Sequence, residues 1–335
     1  MIPGWPYSFV CALEAGASSW TALLDVVRIS PGDDATAVTA AQLRAVIGEL
    51  ARTGHHQPGD PHVLVVLDAG YDVVRLGWLL ADLPVTLIGR LRSDRVFYAR
   101  AGARRGPTKG RGPRHGPKLV LADPATHPAP AVVTGNDTTR YGRTEAKAFG
   151  QMHPKLESRG GWTDHPGALP IIEGTIIGLT VERLPGNRDP KPVWLWASKP
   201  VPDSGTEVDH WWSMFLRRFD LEHTFRFLKQ ALGWTRARLR EPTAADRWTW
   251  LILAAHTQLR LARPLAADHR LPWQTPLAPA MLTPARVRSD YRRICATAAH
   301  PASTPKATRP GPGRPKGRRN RRKATVQPVG KHPTG

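Results

Sequence analysis

The sequence predicts an α/β fold, on three observations. His62–Leu67 (HVLVVL) is an unbroken aliphatic run of the kind found in a strand covered on both faces. A helical stretch, Asp72–Ala81, and a second aliphatic run, Val85–Leu91, complete a strand–helix–strand unit in about thirty residues, the length of a parallel crossover. Upstream, Thr39–Arg52 sets Leu43, Val46, Ile47 and Leu50 at helical spacing, so one face of an amphipathic helix is apolar.

The remaining elements follow in order. Tyr7–Glu14 and Ser19–Ile29 are apolar stretches parted by a turn signal and read as strands of a hairpin. Composition shifts after Phe97. Arg100–Lys118 is rich in Gly, Pro and Arg without periodicity, as in a loop or a basic segment that orders on binding. Leu119–Leu121, Ile171–Leu179 and Val193–Ala197 are short β-type runs, expected to form a small β-rich insertion. From Val208 to about Arg263 the pattern is helical. Pro, Gly, Arg and Lys dominate from Pro301 onward, a composition expected to stay disordered when free. The expected division is 1–97, first part of an α/β core; 98–207, basic loop and β-rich insertion; 208–270, helical remainder of the core; and 271–335, a Pro/Arg/Lys-rich tail.

Charge narrows the partner. The 335 residues carry 48 Lys and Arg against 27 Asp and Glu, a net charge of +21. A polyanion is the simplest reason for such an excess, because each neutralised phosphate releases condensed counterions. The 41% hydrophobic share supports a packed core. No apolar run approaches membrane-spanning length, and Met1–Pro6 has neither the basic nor the apolar region of a signal peptide. Cys11 and Cys295 stand alone, which argues against a disulfide scaffold or a zinc site. The chain is therefore expected to be cytoplasmic, nucleoid-associated and without a membrane partner.

The densest chemical signal is Trp211–Trp234, WWSMFLRRFDLEHTFRFLKQALGW. Read as one helix, it lines up Phe215, Arg218, Glu222, Phe225 and Lys229 at steps of three and four. A carboxylate between two cations suits a divalent-metal ligand whose neighbours reach phosphates. On these residues alone an amphipathic helix with an internal ion pair is the stronger reading. Asp68 is similarly open: it follows a buried strand, where α/β sheets place reactive side chains, and it also suits a plain turn. Asp72, one turn further, is read as the N-cap of the next helix.

Phe215-x2-Arg218-x3-Glu222-x6-Lys229 resembles the Tyr-x2-Arg-x3-Glu-x6-Lys signature of bacterial insertion-sequence transposases of the DDE superfamily, with Phe215 in place of Tyr. The flanking sequence, through Arg263-Pro-Leu, is similar to that group as well, and the resemblance extends along the chain. It implies an RNase H-like catalytic core and metal-dependent endonuclease and strand-transfer chemistry. Glu222 would be the last catalytic acid and Asp68 the second, both ligating Mg²⁺ or Mn²⁺, with Arg218 and Lys229 on DNA. Double-stranded DNA, as element ends and target, is the implied partner, bound by a homodimer. The group's first acid stands on a central strand ahead of a hairpin, and no Asp precedes the hairpin that starts near Tyr7. The expectation is thus a transposase lacking its N-terminal region and first strand, inactive as written, with a non-catalytic DNA-binding remnant as the alternative.

Two lesser readings remain. Gly313-Arg314-Pro315-Lys316 is similar to an AT-hook core, whose extended Arg-Pro backbone fits a narrow minor groove, and a merely basic solvated tail is the plainer account. Trp248, Trp250 and His256 share a helix and are expected to pack rather than to stack bases or bind metal, with His256 satisfied in the core.

Overall fold

The aliphatic runs become strands in the computed structural model, which describes residues 5–16, 18–102, 112–184 and 189–297. In chain order the elements are β1 (Tyr7–Leu13), β2 (Thr21–Arg28), α1 (Ala35–Arg52), β3 (Val63–Leu67), α2 (Val73–Leu79), β4 (Val85–Leu91), β5 (Val96–Arg100), β6 (His115–Val120), β7 (Val132–Thr138), β8 (Gly142–Met152), β9 (Gly174–Val181), β10 (Val193–Ala197), α3 (Gly205–Arg217), α4 (Asp220–Gln230), α5 (Pro242–Ala262) and α6 (Pro284–Thr297). They gather into two units, one of Asp34–Arg218 and one of Met1–Asp33 with Phe219–Gly335.

The first unit is a mixed α/β layer structure. Its six-stranded sheet has the order β3-β4-β10-β9-β8-β7. β3 and β4 pair in parallel, Val63 with Val85 through Leu67 with Gly89, and α2 is the crossover between them. Every other pair in the sheet is antiparallel. The strands expected as a separate β-rich insertion are therefore continuous with β3 and β4. β10 is the reason: it returns from far along the chain to lie between β4 and β9, where both its edges are hydrogen-bonded. β5 and β6 form a separate hairpin, tied to the residue after β8 by the Tyr98–His153 bridge.

Strand alternation divides the core between the two faces. Leu195 and Ala197 of β10 join Ile88, Ile177 and Leu179 beneath Trp211, Trp212 and Phe215 of α3. Trp194 and Trp196, also buried, point the other way. On that side α2 packs so closely that Gly89 has no room for a side chain: a Cβ there would stand 2.5 Å from Cβ of Val73. Asp34 caps α1 by accepting the Thr36 and Ala37 N–H groups, and its carboxylate also pairs with Arg75 of α2 at 2.6 Å. That shared acid ties α1 to α2, with the arginine side chain 13% and the aspartate 35% exposed, so solvent screens the pair in part.

The second unit is built on the β1–β2 hairpin and three helices. Asp246 of α5 accepts hydrogen bonds from the Tyr7 hydroxyl at 2.8 Å and from Arg28 Nε at 3.0 Å. Thr21 and Thr224 share a buried hydrogen bond at 3.0 Å, fixing β2 to α4. The stretch from 271 was expected as tail, yet it contains α6. Val287 and Ile294, two turns apart, join Leu259 and Ala262 of α5 in a second core, so apolar spacing outweighs the basic composition. Asp290, nearly fully buried, accepts the Ala267 N–H, His269 and Arg293, and the Arg293 guanidinium beside it holds its carboxyl far below the usual range.

His256 departs from expectation. It is fully buried between the rings of Trp20 and Phe227, but neither ring nitrogen has a hydrogen-bond partner among the described residues. Burial, with Arg260 one turn away adding to it, pushes its pKa from 6.5 down to about 4. The unfolded chain therefore takes up this proton first as pH falls. Stability should drop between pH 6.5 and about 4, by about 1.4 kcal/mol per pH unit and about 3 kcal/mol in all. Denaturant titrations across that window check this, and His256→Leu should flatten the profile; an unchanged slope in the variant would assign the loss to other groups.

Candidate active site

Asp68 stands immediately after β3, where the aliphatic run gives way to Ala69-Gly70. The Tyr71 N–H donates to the Asp68 carbonyl, closing a tight turn, and the Ala69 N–H donates to Asp68 Oδ1 at 2.8 Å. Asp72 then caps α2 by accepting the Arg75 N–H at 3.1 Å, as its position in the sequence led one to expect.

The partner of Asp68 comes from 150 positions away. Arg218 donates from Nη1 to Asp68 Oδ2 at 3.0 Å. α3 brings it there. Ser204 caps that helix, Trp211, Trp212 and Phe215 anchor it in the core, and Arg218 is the residue on which it ends. The guanidinium lies 5.3 Å from the centre of the Phe215 ring, so the aromatic position of the signature supports its arginine. The arginine side chain is 12% exposed and the aspartate 51%. The carboxylate thus faces solvent while the cation that orients it does not.

Sequence periodicity made Phe215 to Lys229 one helix. The structure has two, because α3 ends at Arg217 and α4 begins at Asp220. On each side a short i to i−3 bond replaces the α-helical one, Arg218 N–H to Phe215 and Glu222 N–H to Phe219. Phe215 and Arg218 accordingly belong to the first unit, and Glu222, Phe225 and Lys229 to the second.

In α4, Thr224 and Leu228 are buried and Phe225 packs edge-on against Phe9 at 5.1 Å. That leaves Glu222, Arg226 and Lys229 exposed at steps of four and three, an outward stripe with one acid and two cations. Arg226 was not singled out from the sequence, although its spacing from Glu222 made it readable. Arg314 and Lys316 lie outside the described residues.

A divalent metal would need hard oxygen donors, and an ion pair in a two-metal site needs a bridging carboxylate besides terminal ones. Among the described residues no group of three or more His, Cys, Asp or Glu side chains could hold a metal ion. Both oxygens of Asp68 already accept hydrogen bonds. Asp68 and Glu222 belong to different units, and the described residues of neither unit supply by themselves the donors of a two-ion centre.

Residues 1–152 match a family model described as DDE superfamily endonuclease. This supports a DDE transposase-like family, and the mixed sheet is consistent with a DDE nuclease fold. The matched span includes Asp68 and ends before Arg218 and Glu222. No curated protein matches the chain. Among the described residues no helix is long and apolar enough to cross a membrane.

Proposed function

We propose that the chain is a DNA-handling protein of the DDE transposase type, derived from the endonuclease and strand transferase of an insertion sequence, and that it binds DNA without cutting it. The Arg218–Asp68 pair carries this reading: it links the arginine of the helix signature to the acid at a strand end, as a site built around that acid requires. The match over residues 1–152 and the net charge of +21 give independent support for a nuclease relative that meets polyphosphate.

In this reading Asp68 and Glu222 are catalytic acids and the positions at which Mg²⁺ or Mn²⁺ would be held. Arg218 is a positioning residue that keeps the Asp68 carboxylate directed to solvent. Lys229, Arg226 and the basic stretch around Arg314 and Lys316 meet the phosphates of double-stranded DNA, bound by a homodimer in the nucleoid. The absence of a three-acid group among the described residues favours binding over cleavage.

The purified chain should shift duplex DNA in a gel and leave supercoiled plasmid intact in Mg²⁺ or Mn²⁺. Metal-dependent nicking that disappears in Glu222→Ala would show that the acid set is complete and overturn the binding-only reading. Failure to bind duplex at low salt would overturn the DNA reading altogether.

A further inference from the structure

Helix α5 is apolar on two sides. One side, with Ile252, Leu253, Leu259 and Ala262, is buried within the second unit. The other carries Leu251, Ala254, Gln258 and Leu261, and the 3₁₀ turn that continues the helix adds Leu265. All five are exposed, the leucines at 61%, 69% and 67%. A helix that is apolar all round is ordinarily covered all round. The five are spaced by three, four, three and four residues, which is the seam of a helix that packs lengthwise on another helix.

The surface along this seam is poor in charge. Trp248–Leu259 contains no Asp, Glu, Lys or Arg, and the first cations after it, Arg260 and Arg263, pair with Glu14 at 3.6 and 3.0 Å. The uncharged stretch Leu271–Leu282 is tied back to the end of the helix by Arg263, whose Nε donates to the Pro279 carbonyl at 3.3 Å. It exposes Trp273 and Met281 beside the helix end. Together these side chains offer several hundred Å² of apolar surface, enough for the core of a standard interface of about 800 Å² per partner.

We propose that the Leu251–Leu265 seam is where two copies of this chain meet, α5 against α5 in antiparallel order about a twofold axis at Gln258. The inference rests on the homodimer part of the reading above and names the surface that forms it. The pattern is complementary to itself. Reversed about Gln258, Leu251 falls opposite Leu265 and the small Ala254 falls opposite Leu261, so each large residue meets a partner or a hollow, as a contact made twice by the same surface requires. A polar residue at one seam position fixes the register of such a pair, and Gln258 stands at the axis. Charge points to the same occupant. A copy carrying +21 repels another, so two can approach only through a surface without unpaired cations, and DNA has nothing to hold there. The basic stretch 301–335 cannot cover the seam instead, because Val326 and Val329 are its only aliphatic residues larger than Ala and Pro.

The test is sedimentation velocity on the full chain over a range of concentrations, with disulfide trapping as a second readout. The wild-type chain should be a dimer at micromolar concentration. Leu261→Asp, at an exposed position that leaves the core intact, should weaken association by about 100-fold or more, since the change is present on both sides of the axis. Its circular dichroism and its binding to duplex DNA at low salt should be retained. Under mild oxidation, Leu251→Cys mixed with Leu265→Cys should give a cross-linked dimer that neither variant gives by itself. A dimer unaffected by Leu261→Asp, or cross-linking of each cysteine variant with itself and not with the other, overturns the antiparallel seam and leaves the homodimer standing. A wild-type chain that stays monomeric at every concentration overturns both, while the gel-shift result decides the DNA reading separately.

Discussion

Raising salt from 50 to 200 mM should weaken duplex binding by roughly three orders of magnitude or more, the loss expected of a protein that neutralises about six phosphates or more. The motive is the net charge of +21. Its distribution gives the sharper form of the test. Pro301–Gly335 holds ten Lys and Arg and no acid, so its removal leaves +11 of the +21. For every phosphate that the tail neutralises, its deletion should reduce the log K against log salt slope by about 0.9. Titrations of the full and shortened chains at several salt concentrations read this directly. An unchanged slope would mean the tail stays off the DNA, and would leave the cations of α4 as the footprint.

Trp196→Ala should destabilise the first unit by about 3–5 kcal/mol, the range for removing a large buried aromatic. The indole sits in β10, at the centre of the six-stranded sheet, fully buried. Two glycines make room for it: a Cβ on Gly77 of α2 would stand 2.9 Å from its ring, and one on Gly174 of β9 about 2.5 Å. With no side chains there to collapse inward, the cavity should persist, which places the cost at the upper end. Its Nε1 has no partner among the described residues, so Trp196→Phe should cost much less, recovering packing and removing an unsatisfied donor. Denaturant unfolding followed by near-ultraviolet circular dichroism compares them, with the half-exposed Trp250→Ala as a near-neutral reference. A loss below about 1 kcal/mol for Trp196→Ala would show that α2 and β9 can close the gap.

What could be read from the sequence was what is local. β3, α2 and β4 are legible because a buried parallel strand is continuously aliphatic and Asp72 announces its helix. The place of β10 between β4 and β9 is not, since pairing across a hundred residues leaves no mark in either strand's composition. The division between α3 and α4 is hidden for a different reason. Arg218 and Phe219 are ordinary helix residues with helical dihedrals, and only the hydrogen-bond pattern changes. At the site, Asp68 could be found from its position at a strand end. That Arg218 serves Asp68, rather than facing outward like Lys229, depends on α3 crossing the sheet, which periodicity cannot report. His256 was legible as core, but whether a buried nitrogen finds a partner is decided by neighbours from Trp20 to Phe227.

The second unit is assembled from both ends of the chain, and this has a consequence during synthesis. Tyr7 and Arg28 both bond to Asp246, 239 and 218 positions later. At 5–20 residues per second the β1–β2 hairpin leaves the ribosome roughly 10–40 s before that helix exists. Two-stranded hairpins are marginal alone, so Phe9 and Trp20 must wait without the rings and helices that cover them in the finished protein. The six strands of the main sheet, in contrast, are all made in one uninterrupted stretch. The middle of this protein can therefore be structured while its beginning is still waiting for its end, and a ribosome that stalls before Asp246 releases a folded sheet carrying a sticky, unfinished leader.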